Sequence, residues 1–374
     1  MKIVLIGTAA GSMIGFRAHL IKSLVAKGHH VFAFALDYTK ETKLIMKKFG
    51  AKPVDYVFNR TGLNPFDDLR NMFKLAVQLK EIKPHLVFSY FSKPVIFGTF
   101  AAALAGVDRR VAMLEGLGFV FTDQPEGIPK KTQILRKIQV FLYRLSFLLL
   151  ENIIFLNLDD PKDLITKHSI KVKNVDVLGG IGLDLSLYPY VKPDPKKIAF
   201  LFVGRLLKEK GINEFIAAAR MVKQQYPDVT FTVLGGLDED NPGGLKSAEL
   251  NRLTECGVID YLGYVTNVAE RMAECSVFVL PSFREGVPRS TQEAMAIGRP
   301  VITTDVPGCR ETVIDGVNGF MVPPWQPKCL ANKMTYFIEH PEQIAIMGLE
   351  SYKFAQEKFD AEIVNRKLIN MLDL

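Results

Sequence analysis

One pattern occurs twice along this chain and leaves few folds open. KIVLIG (residues 2–7) and IAFLFVG (198–204) are each a short apolar, strand-forming run stopped by a glycine and followed by a helical stretch. After the first run the sequence predicts helices over Ala18–Ala26, Lys40–Phe49, Leu69–Lys80 and Val95–Ala105. Between them it predicts strands over His30–Ala35, Val54–Phe58 and His85–Ser89. After the second it predicts helices over Ile212–Gln225 and Ser290–Ile297. The strands there are Val229–Leu234, ending in Gly235-Gly236, then Val258–Leu262, Val277–Leu280 and Pro300–Thr303. Apolar strands alternating with helices give a mostly parallel sheet covered on both faces, because parallel neighbours need a long crossover between them.

With 374 residues there is material for two such α/β domains. Tyr188–Pro195, which holds three prolines, reads as the linker. The expected division is 1–188, 196–350 and a C-terminal piece, 351–374, whose helices pack back on the first domain. Open parallel sheets bind ligands outside the carboxyl ends of their strands, so a cleft between the two domains is the expected site.

The remaining composition excludes several classes. Apolar residues make up 48% and charged residues 23%, a folded globular balance. A formal charge of +7 is modest for this length. It does not indicate nucleic acid, and it suits an anionic ligand or an anionic membrane surface. Cys256, Cys275, Cys309 and Cys329 form no CxxC pair and read as free thiols in a reducing compartment. Histidines are few and scattered, so no histidine metal site is expected. MKIVLIG lacks the setting of a signal peptide, and no apolar run reaches 18 residues. The expected location is therefore cytoplasmic.

The charged groups gather where a phosphate would sit. Gly204-Arg205 follows a strand directly, and Lys208, Glu209, Lys210 and Gly211 lead into a helix. Arg205 offers a fork of donors to a diphosphate and Lys210 a point charge. A charged loop without a ligand is the alternative. A second glycine turn, Glu285-Gly286-Val287-Pro288, opens another helix, and backbone amides at a helix start also favour phosphate. Glu285 falls before that helix and Glu293 within it. Beside a nucleotide diphosphate, carboxylates suit hydroxyls: Glu293 the ribose, Glu285 the sugar. Solvated surface glutamates remain the other reading. The N-terminal run GTAAGSMIGFR (7–17) lacks the GxGxxG order of a dinucleotide site, so Asp37 is not expected to hold a ribose. The acidic run Asp238-Glu239-Asp240 is expected to be a polar loop leading to Asn241-Pro242-Gly243-Gly244, and no metal site is expected.

VGRLLKEKG (203–211), the glycine pair in VLGG (233–236) and FREGVPRSTQEAMAIGRPVI (283–302) together resemble retaining glycosyltransferase family 4, across essentially the whole chain. The resemblance implies the GT-B fold, two facing Rossmann-like domains with a cleft between them, and a nucleotide-sugar donor. It implies that Arg205 and Lys210 hold the donor diphosphate, with Gly204 and Gly235 beside it. Glu285 would contact the transferred sugar and Glu293 the ribose, and the backbone near Gly286, Val287 and Pro288 would meet sugar or phosphate. The N-terminal glycine loop, Gly11 to Gly15, would lie close to the diphosphate and the acceptor. Asn318-Gly319 would be a structural turn. Many members place a histidine at the end of a first-domain strand. Here MLEGLGFVF (113–121) puts Glu115 in that region. This EGLG block resembles enzymes that build lipid-linked oligosaccharides. Glu115 then either engages the acceptor hydroxyl or stabilises a turn.

GIPKKTQILRKIQVFLYRLSFLLL (127–150) carries Lys130, Lys131, Arg136, Lys137 and Arg144 and no acid. Ile134, Ile138, Phe141, Leu142, Leu145 and Leu149 recur at helical spacing, and Phe147 and Leu148 widen the apolar face. Such a helix suits an anionic lipid surface or a diphosphate on a polyprenyl tail. A core-packed helix with a solvated basic edge is the alternative. Arg17 is a further candidate for the acceptor diphosphate. The expected activity is metal-independent, retaining transfer of a sugar, N-acetylgalactosamine, from its UDP form to an undecaprenyl-diphosphate-linked saccharide. It would occur at the inner face of the membrane, with no resident cofactor. A soluble acceptor, another hexose donor, and a binding protein without turnover are the competing readings.

Overall fold

The computed structural model describes residues 1–59, 65–194, 197–239, 241 and 243–374. They form two compact units. The first holds Met1–Val120, Pro129–Gly182 and Ala361–Leu374; the second holds Phe121–Ile128 and Leu183–Asp360.

In chain order the first unit contains β1 (Lys2–Ile6), α1 (Ala10–Ala26), β2 (His30–Ala35), α2 (Lys40–Lys48), β3 (Lys52–Asp55), α3 (Pro65–Ile82) and β4 (Leu86–Tyr90). A π-helical turn, Pro94–Gly98, runs into α4 (Thr99–Leu104). Then come β5 (Arg109–Leu114), α5 (Lys130–Phe147), β6 (Asn152–Phe155), the short α6 (Asp159–Pro161) and β7 (Val175–Val177). The strands pair in parallel, in the order β3-β2-β1-β4-β5-β6-β7. β1 sits centrally with its last four residues buried. Its Val4 and Ile6 meet Met72, Leu75 and Leu79 of α3 in the core. The chain steps outward from β1 to β3, then crosses back to β4 and on to β7. Right-handed crossovers therefore put α1 and α2 on one face of the sheet, and α3, α4 and α5 on the other. The π turn ahead of α4 packs against both α3 and α5.

The second unit contains β8 (Ala199–Val203), α7 (Ile212–Lys223), β9 (Thr230–Leu234), α8 (Ser247–Glu255), β10 (Asp260–Gly263), α9 (Val268–Glu274) and β11 (Val277–Leu280). It continues with α10 (Arg289–Ile297), β12 (Val301–Thr304), β13 (Gly319–Val322), α11 (Pro327–Glu339) and α12 (Glu342–Lys358). Its sheet is also parallel, in the order β10-β9-β8-β11-β12-β13. β11 and β12 are buried along their whole length.

The structure corrects the expected boundaries. Residues 121–128 belong to the second unit, where Lys208 Nζ reaches both carboxylate oxygens of Glu126 at 2.8 Å. Residues 183–188 and the whole of α12 belong there too: Leu183 N donates to Phe359 O at 2.7 Å, and α12 packs along α10. Only α13 (Ala361–Met371) and the last residues join the first unit, where α13 packs on α1 and Arg109 Nη2 donates to Leu372 O at 2.8 Å. Most of the proline-rich stretch, 188–194, is part of the second unit; Pro195 and the expected start at 196 lie outside the described residues, as do Asp240 and Pro242. α1 begins at Ala10 rather than Ala18, because Asp37 Oδ1 accepts from Ala10 N at 2.6 Å and caps its first turn. Asp37 is thus a helix cap.

Candidate active site

The second unit gathers its charged side chains at the carboxyl ends of β8, β9 and β11. β8 ends in Gly204-Arg205. Leu206 and Leu207 then turn inward and are fully buried, anchoring the loop. A 3-10 turn, Lys208–Lys210, follows, and Gly211 closes it at φ 75° to start α7. Gly235 after β9 lies so close to this loop that a Cβ there would run into the carbonyl oxygen of Gly204. Its φ of 141° also excludes most side chains.

Lys210 Nζ sits 2.5 Å from Glu285 Oε1, with the two side chains 24% and 11% exposed. Ser282 Oγ donates to the same oxygen at 2.8 Å, and Glu285 N donates to Pro307 O at 3.0 Å. A carboxylate between β11 and α10 is thereby held by a cation from the loop after β8. Arg205 is 63% exposed at its side chain, with Nη1 3.5 Å from Asp238 Oδ2. An exposed pair at this distance contributes little, so an anion can displace Asp238 at small cost. Pro288 is the N-cap of α10, and its own side chain makes no capping hydrogen bond. Val287 is buried beside it.

Glu293 lies in the second turn of α10. Its Oε1 accepts from Tyr188 Oη at 2.8 Å and from Arg289 Nε at 2.9 Å. Burial, reinforced by the Glu293 carboxylate, pushes the Tyr188 phenol up to about 12, so it remains a donor at neutral pH. Neither partner was read from the sequence. Arg289 stands four residues before Glu293, a helical ion-pair spacing that was available as a signal. Tyr188 lies 105 residues away in the chain and gave none. Glu285 and Glu293 each carry their own cation. Among the described residues no group of three or more His, Cys, Asp or Glu side chains is arranged to hold a metal ion. The acidic loop has other duties: Asp238 meets Arg205, and Glu239 Oε1 accepts from Ser247 N at 2.8 Å at the start of α8. Asn318 makes the expected structural turn, its Oδ1 accepting from Ile314 N at 2.7 Å. The cysteines are free; Cys275 and Cys309 are buried and Cys256 is exposed.

The first unit changes the reading of three residues. Gly11 and Gly15 are not in a loop. They lie on the exposed face of α1, where a Cβ at either would meet nothing within 4 Å. Arg17 is buried, 1% exposed, so it does not present itself to a lipid surface. Its guanidinium lies 4.6 Å from the centre of the Tyr90 ring, and Nη2 donates to Glu115 Oε1. Glu115 directly follows β5, so the pair ties α1 to that strand end.

On α5 the buried side is Val140, Tyr143 and Phe147, with Arg136 Nε donating to Val120 O at 2.6 Å. Arg136 is a strut, and Phe147 does not widen the outer apolar face. Ile134, Ile138, Phe141, Leu145 and Leu148 are all exposed. Their alternating steps of four and three make a seam on the side of the helix opposite the buried one. Lys130, Lys131, Lys137 and Arg144 border it, exposed, and Arg144 also donates to His168 O at 2.8 Å. Among the described residues no helix is long and apolar enough to cross a membrane.

Known proteins share both halves. Residues 2–155 match the family described as Glycosyl transferase 4-like, and residues 190–354 match Glycosyl transferases group 1. The N,N'-diacetylbacillosaminyl-diphospho-undecaprenol alpha-1,3-N-acetylgalactosaminyltransferase of Campylobacter jejuni is 29% identical, covering 100% of this chain and 98% of that protein. The UDP-Gal:alpha-D-GlcNAc-diphosphoundecaprenol alpha-1,3-galactosyltransferase of Escherichia coli is 26% identical over 68% of this chain and 66% of its own length. Among solved structures, HepE of Anabaena, in complex with UDP and glucose, superposes with a TM-score of 0.78 at 19% identity, covering 100% of this chain and 99% of that one. Sucrose-phosphate synthase of Thermosynechococcus elongatus gives 0.80 at 18% identity, covering 99% and 98%. With two parallel-sheet units of this topology, the chain is a glycosyltransferase of the GT-B fold, its first half matching the glycosyl transferase 4-like model and its second the glycosyl transferases group 1 model.

Proposed function

We propose that this glycosyltransferase moves N-acetylgalactosamine from UDP-N-acetylgalactosamine to a saccharide carried on undecaprenyl diphosphate, with retention at the anomeric carbon and without a metal ion or resident cofactor. The observation that carries the reading is the Lys210–Glu285 pair beside Arg205, which sets two cations and a carboxylate at the strand ends of the second unit. The acceptor class is supported by the two relatives from Campylobacter and Escherichia, both named for transfer to sugars on diphospho-undecaprenol.

In the transfer, the bond from the anomeric carbon to the donor phosphate oxygen breaks, and its electron pair leaves with UDP. Arg205 and Lys210 stabilise the charge that develops on that diphosphate, together with the backbone amides at the start of α10. With cations in this role no metal is needed. The acceptor hydroxyl forms the new bond on the face the phosphate leaves, and its proton passes to the departing phosphate. This differs from the two-carboxylate arrangement of glycoside hydrolysis. Glu285 accepts from sugar hydroxyls. Glu293 offers Oε2 to the ribose, while Tyr188 and Arg289 fix Oε1. Glu115, anchored by Arg17, orients the acceptor hydroxyl. The α5 seam and its lysines bring the enzyme to the anionic inner surface of the membrane, where such an acceptor resides.

The test is a donor screen. Purified protein is incubated with a short polyprenyl-diphosphate saccharide and each of UDP-N-acetylgalactosamine, UDP-galactose, UDP-N-acetylglucosamine and UDP-glucose, and the lipid products are weighed. A gain of one N-acetylhexosamine from the first donor, absent in Glu285→Gln, is expected. Product only on a soluble sugar refutes the acceptor, and no binding of UDP refutes the donor.

A further inference from the structure

α5 is not the only helix of the first unit with its apolar side outward. On α3, Phe66, Leu69, Phe73 and Val77 are all exposed, Phe66 by 84%. Their positions fall on one stripe, and Met72, Leu75 and Leu79, which bury α3 in the core, fall on a different side of the helix. A helix with two apolar sides has a second partner, and contiguous exposed apolar patches mark interaction surfaces. We infer that the outer face of α3 docks on the same anionic lipid bilayer as α5, so that the first unit rests on the membrane along two apolar ridges rather than one. The inference rests on the membrane-borne acceptor proposed above.

Two observations select lipid as the occupant. First, the crossover topology places α3 and α5 in one layer on one face of the sheet, both packed against the π turn at Pro94–Gly98, so both ridges belong to that layer. Second, the charge around the α3 ridge is mainly positive. Arg70, Lys74 and Lys80 are exposed along it, against Glu81 and the half-buried Asp67, while Asp68 is buried and taken by Lys93 at 2.9 Å. Lysines and arginines bordering apolar side chains suit anionic headgroups above an acyl layer. A second copy of this chain would set that basic border against itself, and like charges disfavour the pairing.

The experiment is flotation of the full-length protein with phosphatidylcholine vesicles containing phosphatidylglycerol. It compares wild type, Phe66→Ser/Phe73→Ser on α3 and Phe141→Ser/Leu145→Ser on α5. All four positions are exposed, and transfer to a water-soluble short-chain acceptor should be unchanged in the α3 variant, which reports its fold. The α3 variant is expected to lose vesicle partition by about tenfold to a hundredfold. If it floats like wild type while the α5 variant does not, the second ridge is refuted and the membrane reading stands. If wild type itself does not float, both fall. If wild type is a dimer that the α3 variant splits without loss of flotation, the ridge is a subunit contact and the inference is overturned.

Discussion

Replacing Lys210 by methionine separates what the Lys210–Glu285 pair does for stability from what it does for chemistry. Removing one partner of a fully buried ion pair costs about 3–5 kcal/mol, because a charge is left unpaired away from water. Lys210 keeps 24% of its side chain in solvent and Glu285 keeps 11%, while Ser282 still donates to the carboxylate. Solvent and that hydroxyl reduce the penalty to about 2 kcal/mol. In a domain of this size that lowers the melting temperature by about 4–8 °C. Glu285→Gln leaves the more exposed partner uncompensated and should cost less. In the double variant no unpaired charge remains, and most of the lost stability should return. Transfer should behave differently. A cation that stabilises the leaving diphosphate is worth about a hundred- to a thousandfold in kcat, and pairing two neutral side chains does not restore it. Differential scanning calorimetry and a product-mass assay on the four proteins of this cycle would decide. Recovery of transfer together with stability in the double variant would show that the pair is only structural.

Tyr188→Phe removes one of two donors to Glu293 Oε1 and should weaken UDP binding by about three- to tenfold in titration calorimetry, a typical loss for a hydrogen bond to a charged group; tighter binding would mean that Tyr188 competes with the ribose. The same phenol should ionise near about 12 instead of 10, so the stability it contributes is complete below pH 10 and is lost as the pH rises towards 12, visible as the difference in tyrosinate absorbance between wild type and variant. Gly235→Ala should lower stability by about 2 kcal/mol or more, since φ is 141° and the Cβ meets the Gly204 carbonyl; an unchanged melt would refute the close approach of the two loops. Lys130→Glu/Lys131→Glu/Lys137→Glu should abolish binding to anionic vesicles, each cation being worth about 1 kcal/mol at such a surface, and should leave UDP binding intact.

What could be read from the chain alone was local. Apolar runs ending in Gly7 and Gly204 announced parallel strands, because the alternation of strand and helix is a short-range pattern. GRLLKEKG and EGVPRSTQE pointed to the charged groups that gather at the strand ends of the second unit, because a strand-end loop and a helix start carry such groups within a few positions of each other. The four-residue step from Arg289 to Glu293 is equally local. Other facts depended on contacts made across long separations. Asp37 caps α1 from beyond β2, and this turned the expected glycine loop at Gly11–Gly15 into helix. Arg17 met Glu115 and left the surface. The amphipathic period of α5 was visible in its sequence, but period alone cannot say which of two apolar stripes faces the core. On α5, Val140, Tyr143 and Phe147 went inward, leaving Ile134 and Phe141 outside, and on α3 a second outward ridge appeared that the sequence had not suggested. Sequence sets the periodicity of an element. Which side is buried depends on what the rest of the chain brings against it, and only the packed sheet supplies that.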